Sequence, residues 1–189
     1  MSGFSTPFMA TDPDVYEHFM GRWSERLAPP FLEFAKIELP ARVLDVGCGT
    51  GTLALALAQR GATVVGMDAS EGYLLGARRR RSHPNINYEH GDASDLQYPT
   101  ASFDACISTL AIDVVPDADL VAKEMRRVTV PGGVVACGTF DFWGAIPGLI
   151  SCLIRPLCCT RVCGPCGINS NRAHSSGHMV RQTSGAESV

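Results

Sequence analysis

The sequence predicts an α/β domain built on a doubly wound, mostly parallel sheet. Two observations carry this. Short apolar runs alternate with longer Leu/Ala-rich or amphipathic stretches from Arg42 to Phe140, the rhythm of strand–helix–strand units. Turn and cap residues such as Gly61, Ser70 and Pro131-Gly132-Gly133 separate them, and strands this apolar belong in a sheet covered on both faces.

The elements follow in order. Residues 1–12 are expected to be disordered. Residues 13–38 read as one or two helices. Asp12 is the cap, Pro13 suits the first helical position, and Val15, Phe19, Leu27, Phe31, Leu32 and Phe34 are spaced for a buried stripe. Pro29-Pro30 is expected to open the second helix, and Pro40 ends the segment. Arg42–Val46 is a strand running into glycines, and Thr52–Arg60 a helix stopped by Gly61. A second strand, Ala62–Met67, leads to a helix over Glu71–Arg81 capped by Ser70. Asn85–His90 and Phe103–Thr109 are strands, Asp117–Val128 a helix, and Val134–Phe140 a strand after the Pro131–Gly133 turn. Strand order does not follow from periodicity. In a doubly wound sheet a ligand is expected at the carboxyl ends of the strands, near the switch point.

Length and charge narrow the function. A chain of 189 residues suits one domain with an adequate core. A net charge of −3 offers no electrostatic footprint for nucleic acid or an anionic membrane. The one basic run, Arg78–Arg81, falls at a helix end and reads as a solvated terminus that complements the dipole. Asp12, Asp14 and Glu17 interrupt any apolar leader, and no stretch approaches the roughly 18 apolar residues of a membrane helix. The expected compartment is the cytoplasm. Oligomeric state has no signature in the sequence.

The informative segment is Val43-Leu44-Asp45-Val46-Gly47-Cys48-Gly49-Thr50-Gly51, between the first strand and its helix. Glycines at 47, 49 and 51 permit a tight turn and let a ligand lie against bare backbone. Asp68 ends the second strand, 21 residues after Gly47, where an acid can accept hydrogen bonds from both ribose hydroxyls. Two cofactors compete for this layout. A dinucleotide turn is Gly-x-Gly-x-x-Gly, and here its third glycine position holds Thr52. Asp45 beside the turn disfavours a pyrophosphate and suits a ligand carrying an ammonium and a sulfonium.

Val43–Gly51 resembles the first motif of class I S-adenosylmethionine-dependent methyltransferases, and Val64–Ser70 the second. Gly91-Asp92-Ala93, with Leu96 and Ser102-Phe103-Asp104, resembles the adenine loop and fourth strand, and Pro131-Gly132-Gly133 the turn before the fifth. Within the class the chain is similar to small-molecule methyltransferases such as those of quinone biosynthesis. Tyr16–Ser24 resembles the lead-in of one bacterial subgroup. The resemblance covers roughly residues 13–148 and implies a Rossmann-like fold with S-adenosylmethionine as cofactor. It implies that the loop of Gly47, Cys48, Gly49 and Gly51 approaches the methionine part and that Asp45 helps hold its ammonium. It implies Asp68, followed by Ala69, at the ribose, Asp92 and Ala93 at the adenine, and the Ser108 carbonyl at the methionine moiety. Asp92 also has a simpler reading, ordinary Asp-x-x-Asp turn chemistry.

A methyl acceptor of small-molecule type follows, with no metal required. Should the acceptor need a base, Asp113 and His18 are the candidates, Asp113 after the fourth strand and His18 in the N-terminal helix. Tyr16, Arg22 and Trp23 are candidate lid residues; packing of that helix on the sheet explains Tyr16 and Trp23 equally well.

The resemblance ends near Leu149. The chain therefore divides into a helical cap over 1–41, a cofactor-binding domain over 42–148 and a divergent tail over 149–189. The tail is polar, rich in Gly, Ser and Arg, and lacks strand periodicity, so it is expected to be disordered and to leave the fifth strand near an open edge without the family's terminal strand pair. It holds Cys152, Cys158, Cys159, Cys163 and Cys166. Cys163-x-x-Cys166 with His174 and His178 is nominally a zinc set, but the spacing is short for a finger and no apolar core flanks it. Two functional classes stand. One is an active methyltransferase. The other is an incomplete fold that binds cofactor weakly or not at all, with a nicotinamide oxidoreductase as a distant third.

Overall fold

The computed structural model describes residues 12–140, 154–156 and 160–161. Residues 1–11, the cysteines and histidines of the nominal zinc set, and most of the 149–189 tail lie outside the described residues.

The sheet has the order β3-β2-β1-β4-β5 with all five strands parallel. They are β1 (Arg42–Val46), β2 (Thr63–Asp68), β3 (Ile86–His90), β4 (Phe103–Thr109) and β5 (Thr129–Phe140). Between them run α3 (Thr52–Ala58), α4 (Glu71–Arg80) and α5 (Ala118–Val128), preceded by α1 (Pro13–Tyr16), a π-helical turn over Glu17–Gly21 and α2 (Arg22–Ala35). The order reverses between β1 and β4, so β1 leads into a helix on one face and β4 into one on the other. This is the switch point of a doubly wound sheet.

Each face has its own core. Val43, Val64, Ala105, Ile107 and Ala136 bury against Leu27, Phe31 and Leu32 of α2, Leu53 and Leu57 of α3, and Leu74 of α4. On the other face Leu44, Val46, Val65, Cys106 and Val135 meet Val121, Met125 and Val128 of α5. Adjacent residues of β1 thus serve opposite cores, as the period of two requires, and both cores are apolar because helices cover both faces.

Four expectations change at the periphery. The helix does not restart at Pro29-Pro30; both prolines lie inside α2. They sit on its exposed side, as do Glu25 and Arg26, whose carbonyls would have accepted the missing N–H bonds and face water instead. The buried residues Leu27, Phe31, Leu32 and Ala35 hold the helix through this point. Val15 and Phe19 leave the expected stripe and are 58% and 56% exposed, because the π-turn breaks the helical period between them and Leu27. The Pro131–Gly133 turn is absorbed into β5 as a register break: Phe103 pairs with Thr129, but Ala105 pairs with Val134. Finally, β5 is not an open edge. Antiparallel segments β6 (Ile154–Pro156) and β7 (Thr160–Arg161) pair with Gly138–Phe140 and with Val134 and Val135. The correction has a simple cause. Pairing needs only backbone donors and acceptors, and segments of three and two residues are too short to display an alternating pattern.

Candidate active site

The site is built at the carboxyl ends of the strands. After Val46 the chain reverses through Gly47–Gly51 into α3. Gly47, Gly49 and Gly51 have φ of +70°, +55° and +86°, a region that L side chains avoid. The Met67 carbonyl pins the turn from below, accepting from Gly47 N at 2.8 Å and Cys48 N at 3.0 Å. Gly49 also faces a close neighbour: a Cβ there would lie 2.6 Å from the Tyr16 hydroxyl.

Asp68 ends β2. One carboxylate oxygen accepts from Gly49 N and the other from Ser70 N, each at 2.8 Å. An ionised carboxylate offers about four acceptor positions, so these bonds leave capacity for a diol. Burial raises the pKa of Asp68, and the amides of Ser70 and Gly49 pull it back.

Asp45 differs. It is 1% exposed, and neither carboxylate oxygen has a hydrogen-bond partner. Burial first, then the charge of Asp68, push its pKa up to about 7; the Ala54 amide dipole, which does not reach hydrogen-bonding geometry, offsets part of the rise. A buried carboxyl without partners is costly. Its position beside the turn is explained when a cationic ligand completes it. The same burial drives the Cys48 thiol well up, so that side chain is a filler of the turn and no nucleophile.

The remaining site residues line up along the same edge. Asp92, exposed, follows β3 and accepts from Ser94 N at 2.8 Å. That is the turn chemistry allowed for above, and it leaves the second oxygen open. A cavity of about 90 Å³ beside it is lined by Met67, Gly91, Asp92, Leu96 and Tyr98. Ala93 is half-buried against the second core. Ala69 is exposed, its carbonyl 3.1 Å from His90 Nε2. Ser108 is buried on β4, opposite Cys137 of β5. Both base candidates are exposed, His18 on the π-turn and Asp113 on a short turn of 3₁₀ helix, Ile112–Val114. Of the lid candidates, Tyr16 reaches the glycine turn and stacks on Tyr73, ring centroids 4.2 Å apart. Arg22 instead lies over the ring of Trp23, 5.4 Å from its centroid.

Arg78, Arg79 and Arg80 are exposed at the end of α4, as expected of a solvated helix end, but Arg81 departs from that reading. Arg81 is buried and bonded to Glu17 and to the Thr50 carbonyl. Arg80 pairs with Asp14 and Arg78 donates to the Tyr88 carbonyl at 2.8 Å. Glu17 and Arg81 lie 64 positions apart, and no local spacing in a single sequence links them.

Comparison with known proteins agrees with this geometry. Residues 44–137 match the model of a methyltransferase domain family. Over 100 residues the chain is 41% identical to a demethylmenaquinone methyltransferase of Staphylococcus aureus, covering 51% of this chain and 42% of that one. It is 37% identical over 102 residues to a ubiquinone biosynthesis O-methyltransferase of Dinoroseobacter shibae, covering 53% and 41%. The chain thus spans about two fifths of the length of these curated relatives. Among solved structures, an S-adenosylmethionine dependent methyltransferase from Mesorhizobium loti superposes with a TM-score of 0.51 at 33% identity, covering 54% of this chain and 47% of that one. A Pyrococcus horikoshii protein gives 0.58 at 30% identity, covering 68% and 66%. Among the described residues no helix is long and apolar enough to cross a membrane. With the sheet order, the glycine turn and the acids at successive strand ends, these matches identify residues 44–137 as a methyltransferase domain with the fold of the class I S-adenosylmethionine-dependent methyltransferases.

Proposed function

We propose that the chain binds S-adenosylmethionine at the carboxyl ends of β1 to β4 and transfers its methyl group to a small-molecule acceptor in the cytoplasm. Intermediates of quinone biosynthesis are the class for which its curated relatives are named. One observation carries the reading: Asp45, buried and without a hydrogen-bond partner, stands beside the glycine turn with Asp68 close enough to raise its pKa. Two carboxyl groups in a low-dielectric site favour a cation and repel a pyrophosphate.

In this reading Asp45 faces the cationic methionine end, and the backbone of Gly47, Cys48, Gly49 and Gly51 lies along it. Asp68 accepts from the ribose, with Ala69 adjoining. Asp92 and the Ala93 amide receive the adenine, and the Ser108 carbonyl meets the methionine moiety. Tyr16 belongs to the lid, with Arg22 and Trp23 on the following turn. The bound cofactor supplies a methyl group already activated on a sulfonium. The protein's part is to align an acceptor and keep water out. Asp113 and His18 stay the base candidates for an acceptor that must lose a proton. Residues 1–41 act as the cap and 42–148 as the cofactor domain, to whose sheet the 149–189 tail adds β6 and β7.

The second reading is a non-enzymatic protein that binds cofactor weakly or not at all. Calorimetry with S-adenosylmethionine and with NAD tests the cofactor: the expected result is tighter binding of S-adenosylmethionine, and tighter binding of NAD overturns the reading. Methyl transfer to quinone precursors, followed by mass spectrometry, then separates enzyme from binder.

A further inference from the structure

The residues that join the N-terminal segment to the cofactor turn have no part in the reading above. Glu17 sits on the π-turn, one residue after Tyr16. Its Oε2 accepts from Thr50 Oγ1 at 2.6 Å and from Arg81 Nη1 at 3.1 Å, and its Oε1 pairs with Arg81 Nη2. Arg81 Nη1 also donates to the Thr50 carbonyl at 3.1 Å, and Nη2 lies 3.4 Å from Glu25 Oε1. The Arg81 side chain is 9% exposed and that of Glu17 22%. Tyr88 Oη donates to the Arg81 carbonyl at 2.9 Å, fixing the end of α4 from beneath. Thr50 stands between Gly49 and Gly51, inside the loop that meets the cofactor.

The rest of the segment is fitted to the same surface. Pro13 rests on Gly76, where an added Cβ would come within 2.7 Å of the proline Cβ. Asp14 pairs with Arg80. Tyr16 lies over Gly49 and against Tyr73. Residues 12–21 therefore form a strap across the glycine turn. Its exposed side carries Val15 and Phe19, so apolar burial contributes little at those two positions, and polar contacts to Thr50, Arg80 and Arg81 hold this stretch.

We propose that this strap is a gate on the cofactor cleft and that the Glu17–Arg81–Thr50 cluster is its latch. The proposal rests on the cofactor assignment made above. With the latch closed, Tyr16 covers the bare backbone of Gly49 and blocks the turn from solvent. Opening the latch releases Tyr16 from the turn and lets cofactor enter or leave. Glu17 and Arg81 are positioning residues: they act through Tyr16 and Thr50 and do not touch the cofactor. A paired charge cluster suits a gate because loss of Glu17 leaves the buried Arg81 with only the more distant Glu25 carboxylate, so closed and open are distinct states.

The test is an isotope chase on the full chain. Protein loaded with labelled S-adenosylmethionine is mixed with excess unlabelled cofactor, and loss of label gives the dissociation rate. Glu17→Gln and Arg81→Met should each speed dissociation by about tenfold or more, within the usual range for coupling between two sites. Arg81→Lys, which keeps the charge, should fall between them and the wild type. Hydrogen exchange over residues 12–21 should accelerate in the same order in protein without cofactor. If Arg81→Met fails to fold, Glu17→Gln carries the test, since it keeps the shape of the side chain. An anchor that only stabilises the fold would lower the melting temperature and leave the exchange rate alone. Wild-type dissociation rates in folded variants therefore overturn the gate while the cofactor assignment stands. Wild-type protein that binds no S-adenosylmethionine overturns both.

Discussion

The two ends of the parallel sheet treat charge in opposite ways. At the amino ends the charges of Arg127, Glu124 and Asp104 are answered. Arg127 pairs with Glu124 and donates to the carbonyls of Leu96 and Tyr98 at 2.7 and 2.8 Å. Glu124 accepts in turn from Leu96 N at 3.0 Å, and Asp104 accepts from Arg42 N at 2.7 Å. At the carboxyl ends Asp45 is buried with no partner, Asp68 has spare acceptor positions, and three glycines hold left-handed backbone. One end is complete in itself and contributes stability. The other keeps unmet bonding capacity, and that is where a ligand adds most.

Substitutions at the two ends should therefore fail differently. The largest effect is expected at Asp68. Replacing it with Ala removes charge-assisted bonds of roughly 1.5–3 kcal/mol, so affinity for S-adenosylmethionine should fall about ten- to hundredfold while circular dichroism shows a folded protein. An unchanged dissociation constant would remove Asp68 from the cofactor site. At the other end, Arg127→Ala should cost about 1–3 kcal/mol of stability in chemical denaturation, a figure reduced because the side chain is 34% exposed. Its cofactor affinity should fall far less than that of the Asp68 variant, although Arg127 holds the carbonyls of Leu96 and Tyr98 that line the cavity beside Asp92; an equal loss would mean that the two ends are not independent.

The smallest effect concerns Asp45 and pH. Its folded pKa, about 7, lies above its unfolded value, so the folded protein holds this proton through the interval from about 4 to 7. In protein without cofactor, stability from this group is present at low pH and lost as pH rises through that interval. Asp45→Asn should remove the dependence, and denaturation curves at pH 5 and 8 measure it. Cofactor binding runs the other way, because a cation favours the ionised form. Wild-type affinity should rise by at most about tenfold from pH 6 to 8, and the Asn variant should lack that component. Equal pH profiles in the two proteins would show that Asp45 does not meet the positive charge.

How much of this was legible depends on the distance over which each feature is encoded. The strands Arg42–Val46 and Phe103–Thr109 and the turn at Gly47–Gly51 follow from local composition, because burial on both faces and positive φ each select residue types directly. Asp45, Asp68 and Asp92 could be placed at strand ends for the same reason. The Glu17–Arg81 pair could not, since only the fold brings these positions together. Nor could β6 and β7, whose pairing rests on backbone groups that every sequence carries. Pro29-Pro30 misled for a related reason: a proline marks a helix start only when the neighbouring residues do not bury the helix on both sides of it.

The strand order described above also acts as a ruler. Neighbouring strands lie about 4.8 Å apart, and β3, β2, β1 and β4 are consecutive in the sheet. The loop bearing Asp92 therefore stands three strand spacings, roughly 14 Å, from the end of β4 at Ser108, with Asp68 and the glycine turn at the two intervals between. A ligand that engages all four stations must carry its recognised groups at matching intervals along an extended body. The backbone spacing of the sheet, fixed by hydrogen bonds alone, thereby selects for molecular length before any side chain selects for chemistry.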